Sequence, residues 1–598
     1  MKYRIPAFFF CLCALAMAGI ATTVSAAERV ASERSATAAP APALRWRAES
    51  FPAGLVARLQ YRDMPVQRLL QLDRSNASRR AKPTQIGIPR ASAREATAAL
   101  PALGWLALRG GGSVARLQIS SRDAMALRVG LKIVALDPRA ELRFGGSLGA
   151  SPVVAAMSGA EVLRLADGNG MFWTPSTDGD TQIIEIHAPS GVATRGIRIR
   201  APELSHLLAN SLNDFKILPK IGESGSCNVD TACRVGELGP NFVSAKNAVA
   251  HMQFNLYQAN GSLAGTYICT GTLLADTVAA TQIPYFYSAN HCFAGGDDGI
   301  PAQNFQTVAN SLNTYWKYEA TACGSGVQAA KVLLAGGADY LYSDADTDAM
   351  LLRLKNAPPA GSEFAGWDSA ALPASSPVFA IHHPGGDAKK VSSGQRLQQD
   401  ASQSEVGWLS GTTEGGSSGS GLFTADASGY RLRGGLFGGS ASCANTGSLG
   451  NSGNRDYYSR FDLVFPGIKT YLSPASNVAP VAAFAFNSNG LTANFTDASA
   501  DPDGFIASRA WNFGDGSSST APNPMKAFAA TGTYSVTLTV TDNGGVSHSI
   551  VRSVSVNANL RVNGSQPLIP PRAASPAAAS RIKLQRRAPS RRDSAVTR

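Results

Sequence analysis

This sequence predicts an all-β protein of several domains, and three patterns carry that expectation. Between residues 221 and 472, short β-type runs (Ala248 to Tyr257, Thr266 to Leu274, Ala349 to Leu354, Pro377 to His382 and Leu432 to Phe437) are separated by turns of Gly, Ser and Asn, as in a sandwich or barrel. Towards the C-terminus, Tyr534 to Val540 alternates so that Tyr534, Val536, Leu538 and Val540 share one face, while Gly514-Asp515-Gly516 turns the chain after Trp511-Asn512-Phe513. Nearer the N-terminus, Ala126 to Val134 and Thr181 to Ile186 alternate in the same way. The 598 residues leave room for about three or four domains, and 44% hydrophobic against 16% charged residues fits globular, exported material.

Residues 1–26 carry Lys2 and Arg4, an apolar run from Ala7 to Ile20, and Val24-Ser25-Ala26, which together read as a cleavable secretory signal. No later stretch is long and apolar enough to span a bilayer, so no membrane role is expected. Residues 27–220 lack cysteine, open on low-complexity sequence from Ala36 to Pro42 and close on a helix-like piece from Pro202 to Phe215. Their place between a signal and a cysteine-bearing domain makes them a candidate pro-region, β-rich in its alternating stretches. Residues 221–472 hold six cysteines, Cys227, Cys233, Cys269, Cys292, Cys323 and Cys443. An even number in an exported segment predicts three disulfides, in a connectivity these spacings leave open. Zinc is the poorer reading, since Cys227 and Cys233 lack a second close Cys/His pair.

A linker, 473–480, leads to a compact module at 481–557 and a basic tail at 558–598 that reads as disordered. From Arg561 to Arg598 nine Lys/Arg stand against one Asp, so +8 of the net +12 belongs to the tail. The remaining body is only mildly basic and shows no basic stripe interleaved with aromatics. No nucleic-acid partner is expected.

The chemistry centres on Thr413-Glu414-Gly415-Gly416-Ser417-Ser418-Gly419-Ser420. Small neighbours let the chain turn sharply, so that the N–H groups of Gly416 and Ser418 face a tetrahedral oxyanion while the Ser418 hydroxyl projects. A serine attacks only when a base takes its proton, and that base is a histidine held by a carboxylate. Of His251, His291, His382 and His383, the one at His291 ends an apolar strand that runs into His-Cys, where a bond between Cys269 and Cys292 would pin it. Asp348 leads straight into the apolar run Ala349 to Leu354 and is the candidate carboxylate; Asp344 and Asp346 read as loop charges. The order His291, Asp348, Ser418 is that of a chymotrypsin-type barrel, not of α/β-hydrolases or subtilisins.

With these motifs in that order, the segment resembles the bacterial lysyl endopeptidase branch of the trypsin-like serine proteases. Further matches are Gly225-Ser226-Cys227-Asn228-Val229-Asp230, Tyr315-Trp316-Lys317-Tyr318, Ala365-Gly366-Trp367-Asp368 and Ile381-His382-His383-Pro384. The resemblance implies a chymotrypsin-like double β-barrel with Cys227 bonded to Cys443, Cys233 to Cys323 and Cys269 to Cys292. A pocket for Lys or Arg must return a buried negative charge, because an unpaired cation in an apolar pocket is costly. In the family that charge follows the nucleophile in an Asn-Arg-x-Asp-type run; Asn454-Arg455-Asp456 fits with one residue fewer, which makes Asp456 the candidate for the S1 floor. Lys-restricted members have a His where this chain has Phe437, and their stacked Trp has no clear counterpart here, which leaves Lys against Arg open. Trypsin has an Asp directly before the nucleophile to receive the new N-terminal ammonium, whereas this chain has Ser417. Activation is therefore expected by removal of residues 27–220, an intramolecular inhibitor or folding aid, through a cut after Lys220 or one residue later, before Gly222.

In the module, Trp511-Asn512-Phe513-Gly514-Asp515-Gly516-Ser517 with Gly532-Thr533-Tyr534 and Val540-Thr541-Asp542 resembles a PKD-type repeat. That implies an immunoglobulin-like β-sandwich with Trp511 in its core, as a contact to insoluble substrate or a spacer. Asp501 and Asp503 read as turn acids ahead of calcium ligands. The whole reads as a secreted, monomeric serine endopeptidase, acting on proteins or peptides after Lys, with Arg the open second choice, and needing no cofactor. The alternative is a non-catalytic surface-binding protein that uses the PKD-type module on a protease-like scaffold.

Overall fold

The computed structural model describes residues 27–35, 43–78, 83–148, 153–210, 221–278, 281–295, 300–474, 477–502 and 504–558. The expected signal (1–26), the stretch from Ala36 to Pro42, Lys220, Asp503 and the basic tail after 558 lie outside the described residues. The chain divides into two units, Met1–Ala475 and Ser476–Arg598. Among the described residues no helix is long and apolar enough to cross a membrane.

Within the first unit, residues 221–472 build two β-bodies. In the first, Val249–Tyr257 pairs with Leu263–Leu274, which pairs with Tyr285–Ser288, then Ala349–Leu354, then Ala338–Asp344, every neighbour antiparallel. Met252, Phe254, Leu273, Phe286, Trp316 and Leu352 fill it. In the second, Pro377–His382, Lys390–Gln399, Gln403–Ser410, Asp456–Ser459, Gly429–Gly439 and Gly421–Asp426 pair in that order, and the last returns to the first. The ring is a closed barrel with no free edge. Val378, Ala380, Val406, Trp408, Leu422, Leu436 and Tyr458 point inward. Helix Phe461–Leu472 closes the segment, its Phe461 and Phe465 rings against Trp367.

Residues 27–210 do not stand apart from this body. One sheet of the N-terminal region is its own: Ala57–Tyr61, Ser113–Ser121, Thr181–Ala188, Glu141–Gly146 and Ala155–Ser158. The other runs from Ala126–Ala135 through Arg198–Leu207 to Thr84–Ala91, and then onto Leu263–Leu274 of the protease body. Thr84 lies opposite Ile268, Gln85 opposite Tyr267 and Gly87 opposite Thr266. Arg29–Val30 adds a further strand at Trp367–Asp368.

The helix-like piece expected from Pro202 to Phe215 is corrected as far as it is described: through Leu207 it is the strand Arg198–Leu207. A register shift between Arg200 and Glu203 breaks its alternation at Pro202, and Leu204, Ser205, His206 and Leu207 are all buried because both faces are covered. Leucines at 204, 207 and 208 then imitate a helical spacing that no helix makes.

The second unit is a two-sheet sandwich. Phe484–Asn489, Thr492–Asp497 and Met525–Ala527 form one sheet, and Ser518–Ser519, Ile506–Asn512, Gly532–Asp542 and Ser547–Val556 the other. Trp511 is 1% exposed at its centre, among Phe484, Phe495, Val536, Leu538 and Val540. Tyr534 shares their face but is only half-buried, at the end of the strand.

Candidate active site

Strand pairing assembles the site. Tyr285–Ser288 runs into the short helix Asn290–Ala294, which carries His291; Cys292, one residue on, is bonded to Cys269 of Leu263–Leu274. Because Ser288 lies opposite Met350, the residue that precedes Ala349 is delivered to the histidine. That residue is Asp348, at φ +60°. Its Oδ1 accepts the His291 backbone N–H at 2.8 Å, and its Oδ2 lies 2.7 Å from His291 Nδ1. On the far side of the ring, Nε2 lies 2.8 Å from Ser418 Oγ. A carboxylate only accepts, so Nδ1 carries the ring hydrogen and Nε2 is the bare nitrogen that takes the Ser418 hydroxyl hydrogen. The Phe437 ring stands edge-on to the imidazole, centroids 5.6 Å apart.

Ser418 is buried in a turn that glycine makes possible. Gly416 (φ +87°) and Gly419 (φ +77°) both lie in the left-handed region, and a Cβ on Gly419 would fall 2.1 Å from Ser288 Oγ. Thr270 holds the turn from the first body: its N–H donates to the Ser418 carbonyl at 2.8 Å and its hydroxyl to the Gly416 carbonyl at 3.0 Å. Among the described residues, neither the Gly416 nor the Ser418 N–H donates to a protein acceptor.

Asp456 is wholly buried on Asp456–Ser459. Trp408 Nε1 donates to its Oδ2 at 2.7 Å and the Thr413 hydroxyl donates to the same oxygen at 2.6 Å. Its Oδ1 lies 2.4 Å from where a Cβ on Gly439 would stand, so only glycine fits against the carboxylate there. Burial, and then the Asp456 charge, push the Tyr458 hydroxyl well up. The nearby arginines turn elsewhere, Arg455 to Glu405 at 2.7 Å and Arg460 to Asp462 at 2.6 Å. Sequence alone missed Trp408 and Thr413 as partners of this acid; a tryptophan N–H that must be buried with an acceptor was the available signal.

The remaining candidates fall into place around these. Cys227 is bonded to Cys443 and Cys233 to Cys323. The one cluster of metal-type ligands among the described residues, Cys269, His291 and Cys292, has both sulfurs in a disulfide. Asp344 closes a turn, its carboxylate accepting the Asp346 N–H and the Thr347 hydroxyl. Beside the Thr413–Gly415 wall runs a groove whose opposite side is Asn76, Ala77 and Thr84 of the N-terminal region.

Paired β-bodies, with a histidine and a carboxylate from the first meeting a glycine-flanked serine from the second, define a chymotrypsin-like serine endopeptidase. Residues 221–459 match the lysyl endopeptidase C-terminal domain, residues 60–208 the lysyl endopeptidase N-terminal domain, and residues 477–557 the PKD domain. A lysyl endopeptidase of Pseudomonas aeruginosa is 34% identical over 389 residues, 63% of this chain and 78% of that protein. The chain belongs to the lysyl endopeptidase family. Its PKD domain is 42% identical over 81 residues to the pre-pro-metalloprotease PrtV of Vibrio cholerae, 14% of this chain and 9% of that one. Among solved structures, the PKD1 domain of Vibrio anguillarum Epp matches at 38% identity over 14% of this chain and 98% of its own, with a TM-score of 0.14. A thermostable serine protease, AL20, matches at 16% identity over 37% of this chain and 93% of its own, with a TM-score of 0.23.

Proposed function

We propose that this endopeptidase is secreted, is made as a self-processing pro-enzyme and cuts peptide bonds after Lys, with Arg as the open second choice. One observation carries the reading: the unbroken line from Asp348 through His291 to Ser418, with a buried carboxylate, Asp456, below the same turn. Ser418 Oγ attacks the scissile carbonyl as His291 Nε2 takes its proton. The N–H groups of Gly416 and Ser418 hold the oxyanion, and His291 returns the proton to the leaving amine. Water then attacks the acyl-enzyme by the same route. Asp348 fixes the ring tautomer and balances the imidazolium charge. Asp456 answers the substrate cation, its Oδ2 held in place by Trp408 and Thr413.

Residues 27–220 act as the inhibitor within the pro-enzyme. Their strand Thr84–Ala91 takes an edge of Leu263–Leu274, and Asn76 and Thr84 wall the groove beside Thr413–Gly415, which supports blockage of the cleft. Self-cleavage after Lys220 releases them; a cut one residue later, before Gly222, would need another enzyme. Residues 1–26 direct export, 473–480 link the protease to the PKD-type sandwich at 481–557, and the basic tail follows.

The test is kcat/KM on matched peptides that differ only in Lys, Arg or Leu at the cleaved position, for the wild type and Asp456→Asn. Lys is expected to lead Leu by orders of magnitude, with the lead lost in Asp456→Asn. Equal cleavage after Leu and Lys would show that Asp456 does not read the substrate.

A further inference from the structure

The loop that carries Gly416 and Ser418 is held from behind by one imidazole. His382 ends the strand Pro377–His382 and is fully buried, as are Ser392, Thr412 and Ser417. Its Nδ1 lies 2.8 Å from Ser417 Oγ and its Nε2 lies 3.1 Å from Ser392 Oγ. Ser392 Oγ lies 2.8 Å from the Thr412 carbonyl, and the Glu414 N–H donates to Ser417 Oγ at 3.2 Å.

For a neutral imidazole these contacts place the protons. The Thr412 carbonyl can only accept, so the Ser392 hydroxyl hydrogen goes there, and Ser392 Oγ accepts from His382 Nε2–H. Nδ1 is then the bare nitrogen and accepts the hydroxyl hydrogen of Ser417, whose oxygen accepts from Glu414. The result is a neutral chain that ties Thr412, Glu414 and Ser417, three points on one loop, to the barrel strand behind it. Ser417 sits between the two residues whose N–H groups face the cleft, so moving it moves both. Thr270 holds the carbonyls of Gly416 and Ser418 from the opposite side.

We propose that His382, acting through Ser417, is the positioning residue that sets the oxyanion loop of this enzyme, in place of an ion pair with a newly cut N-terminus. A carboxylate at 417 would be a buried charge that needs a cation supplied by proteolysis. A serine on a neutral imidazole needs none, and the loop is tied in this way while the N-terminal region is still attached. Proteolysis then has the cleft to uncover, not the loop to build.

The proposal rests on reading Ser418 as the nucleophile with the Gly416 and Ser418 amides as the oxyanion donors, and Ser418→Ala tests the nucleophile separately: retained activity there would overturn both. The full chain is expressed, processed by added wild-type enzyme where self-processing is slow, and assayed on a Lys peptide amide. Ser417→Ala and His382→Ala are expected to lower kcat by about ten- to hundredfold, less than complete loss of an oxyanion donor costs, with KM within about twofold. The double variant is expected to be no worse than either single one, because both break one chain. His382→Asn, whose side-chain oxygen can accept the Ser417 proton near the Nδ1 position, is expected to recover most of the rate. Wild-type kcat in Ser417→Ala, or a loss confined to KM, would overturn the proposal, as would His382→Asn being no better than His382→Ala. If His382→Ala does not fold, Ser417→Ala and a near-normal His382→Asn decide the matter in the same way.

Discussion

Asp348 combines two demands in one residue. Its backbone lies at φ +60°, where Asp and Asn are among the few side chains tolerated besides Gly, and its carboxylate must accept from both the backbone N–H and Nδ1 of His291. Asp348→Asn keeps the backbone conformation and nearly the same shape, so its effect isolates the charge and the hydrogen-bond polarity. An amide N–H turned towards Nδ1 forces the hydrogen onto Nε2, where it blocks acceptance of the Ser418 proton. We expect kcat to fall by about 10⁴ with the folded structure intact, and Asp348→Ala to lose melting temperature as well. A fall in kcat of only a few-fold would mean that Asp348 orients the ring without setting its tautomer.

At the scale of elements, the N-terminal region holds on by its strands and, among its side chains, by a buried cation. Arg128, on Ala126–Ala135, is 1% exposed, and its guanidinium donates to the Thr174 carbonyl, to the Ser311 carbonyl at 2.6 Å and to Asn255 Oδ1 at 3.3 Å. Burial lowers it to about 10, so it stays charged at neutral pH. Arg128→Ala leaves Ser311 without that donor, and partners orphaned in this way cost about 1–3 kcal/mol. We expect the processed N-terminal region to leave the protease body about tenfold or more faster, measured as the rise of activity after processing; an unchanged rate would remove Arg128 from the interface energetics. None of this interface was legible in the sequence. His291, Asp348 and Ser418 announce themselves locally, each by its immediate neighbours, and so do the strands that alternate. Thr84–Ala91 carries Pro89 in its interior, which argues against a central strand, and its partner on Leu263–Leu274 is remote in the chain. Gly87 sits at the pairing, where a Cβ would meet Thr266 Cβ of the protease body at 2.7 Å, but a single glycine in a strand does not say what approaches it. Asp456 was named from its run, but its bond to Trp408 was hidden for the same reason, since it joins strands whose pairing the sequence does not show.

Across the first unit as a whole, the attachment of the N-terminal region is coupled to protons through His251. The ring lies on Val249–Tyr257 against Tyr315, Tyr318 and His383, and it shares a small cavity with Lys331 of the protease body and with Ile86, Ala126, Ser176 and Asp178 of the N-terminal region. Neither ring nitrogen has a hydrogen-bond partner among the described residues. Burial, and then the Lys331 charge, push it down from 6.5 to about 3. The bound form therefore carries fewer protons than the separated form, in which the cavity opens on the side of the N-terminal region and the ring moves back towards its ordinary value. Above pH 6.5 both forms are neutral at this site and the attachment does not depend on pH. Between pH 6.5 and about 3 each unit of acidification favours separation, by about tenfold for one proton taken up. His206, buried against Ser121 inside the N-terminal region and pushed down to about 3 by burial and by Arg90, makes that region's own fold acid-sensitive over the same range. After processing, the two parts are expected to stay associated at pH 8 and to separate progressively from pH 6 to pH 4, measured by sedimentation so that the pH dependence of catalysis does not enter the readout. His251→Gln should flatten the part of that profile due to docking and leave the part due to His206. If the wild-type complex is equally tight at pH 8 and pH 4, the cavity ring does not control release, and the two parts must separate by cleavage of the N-terminal region itself.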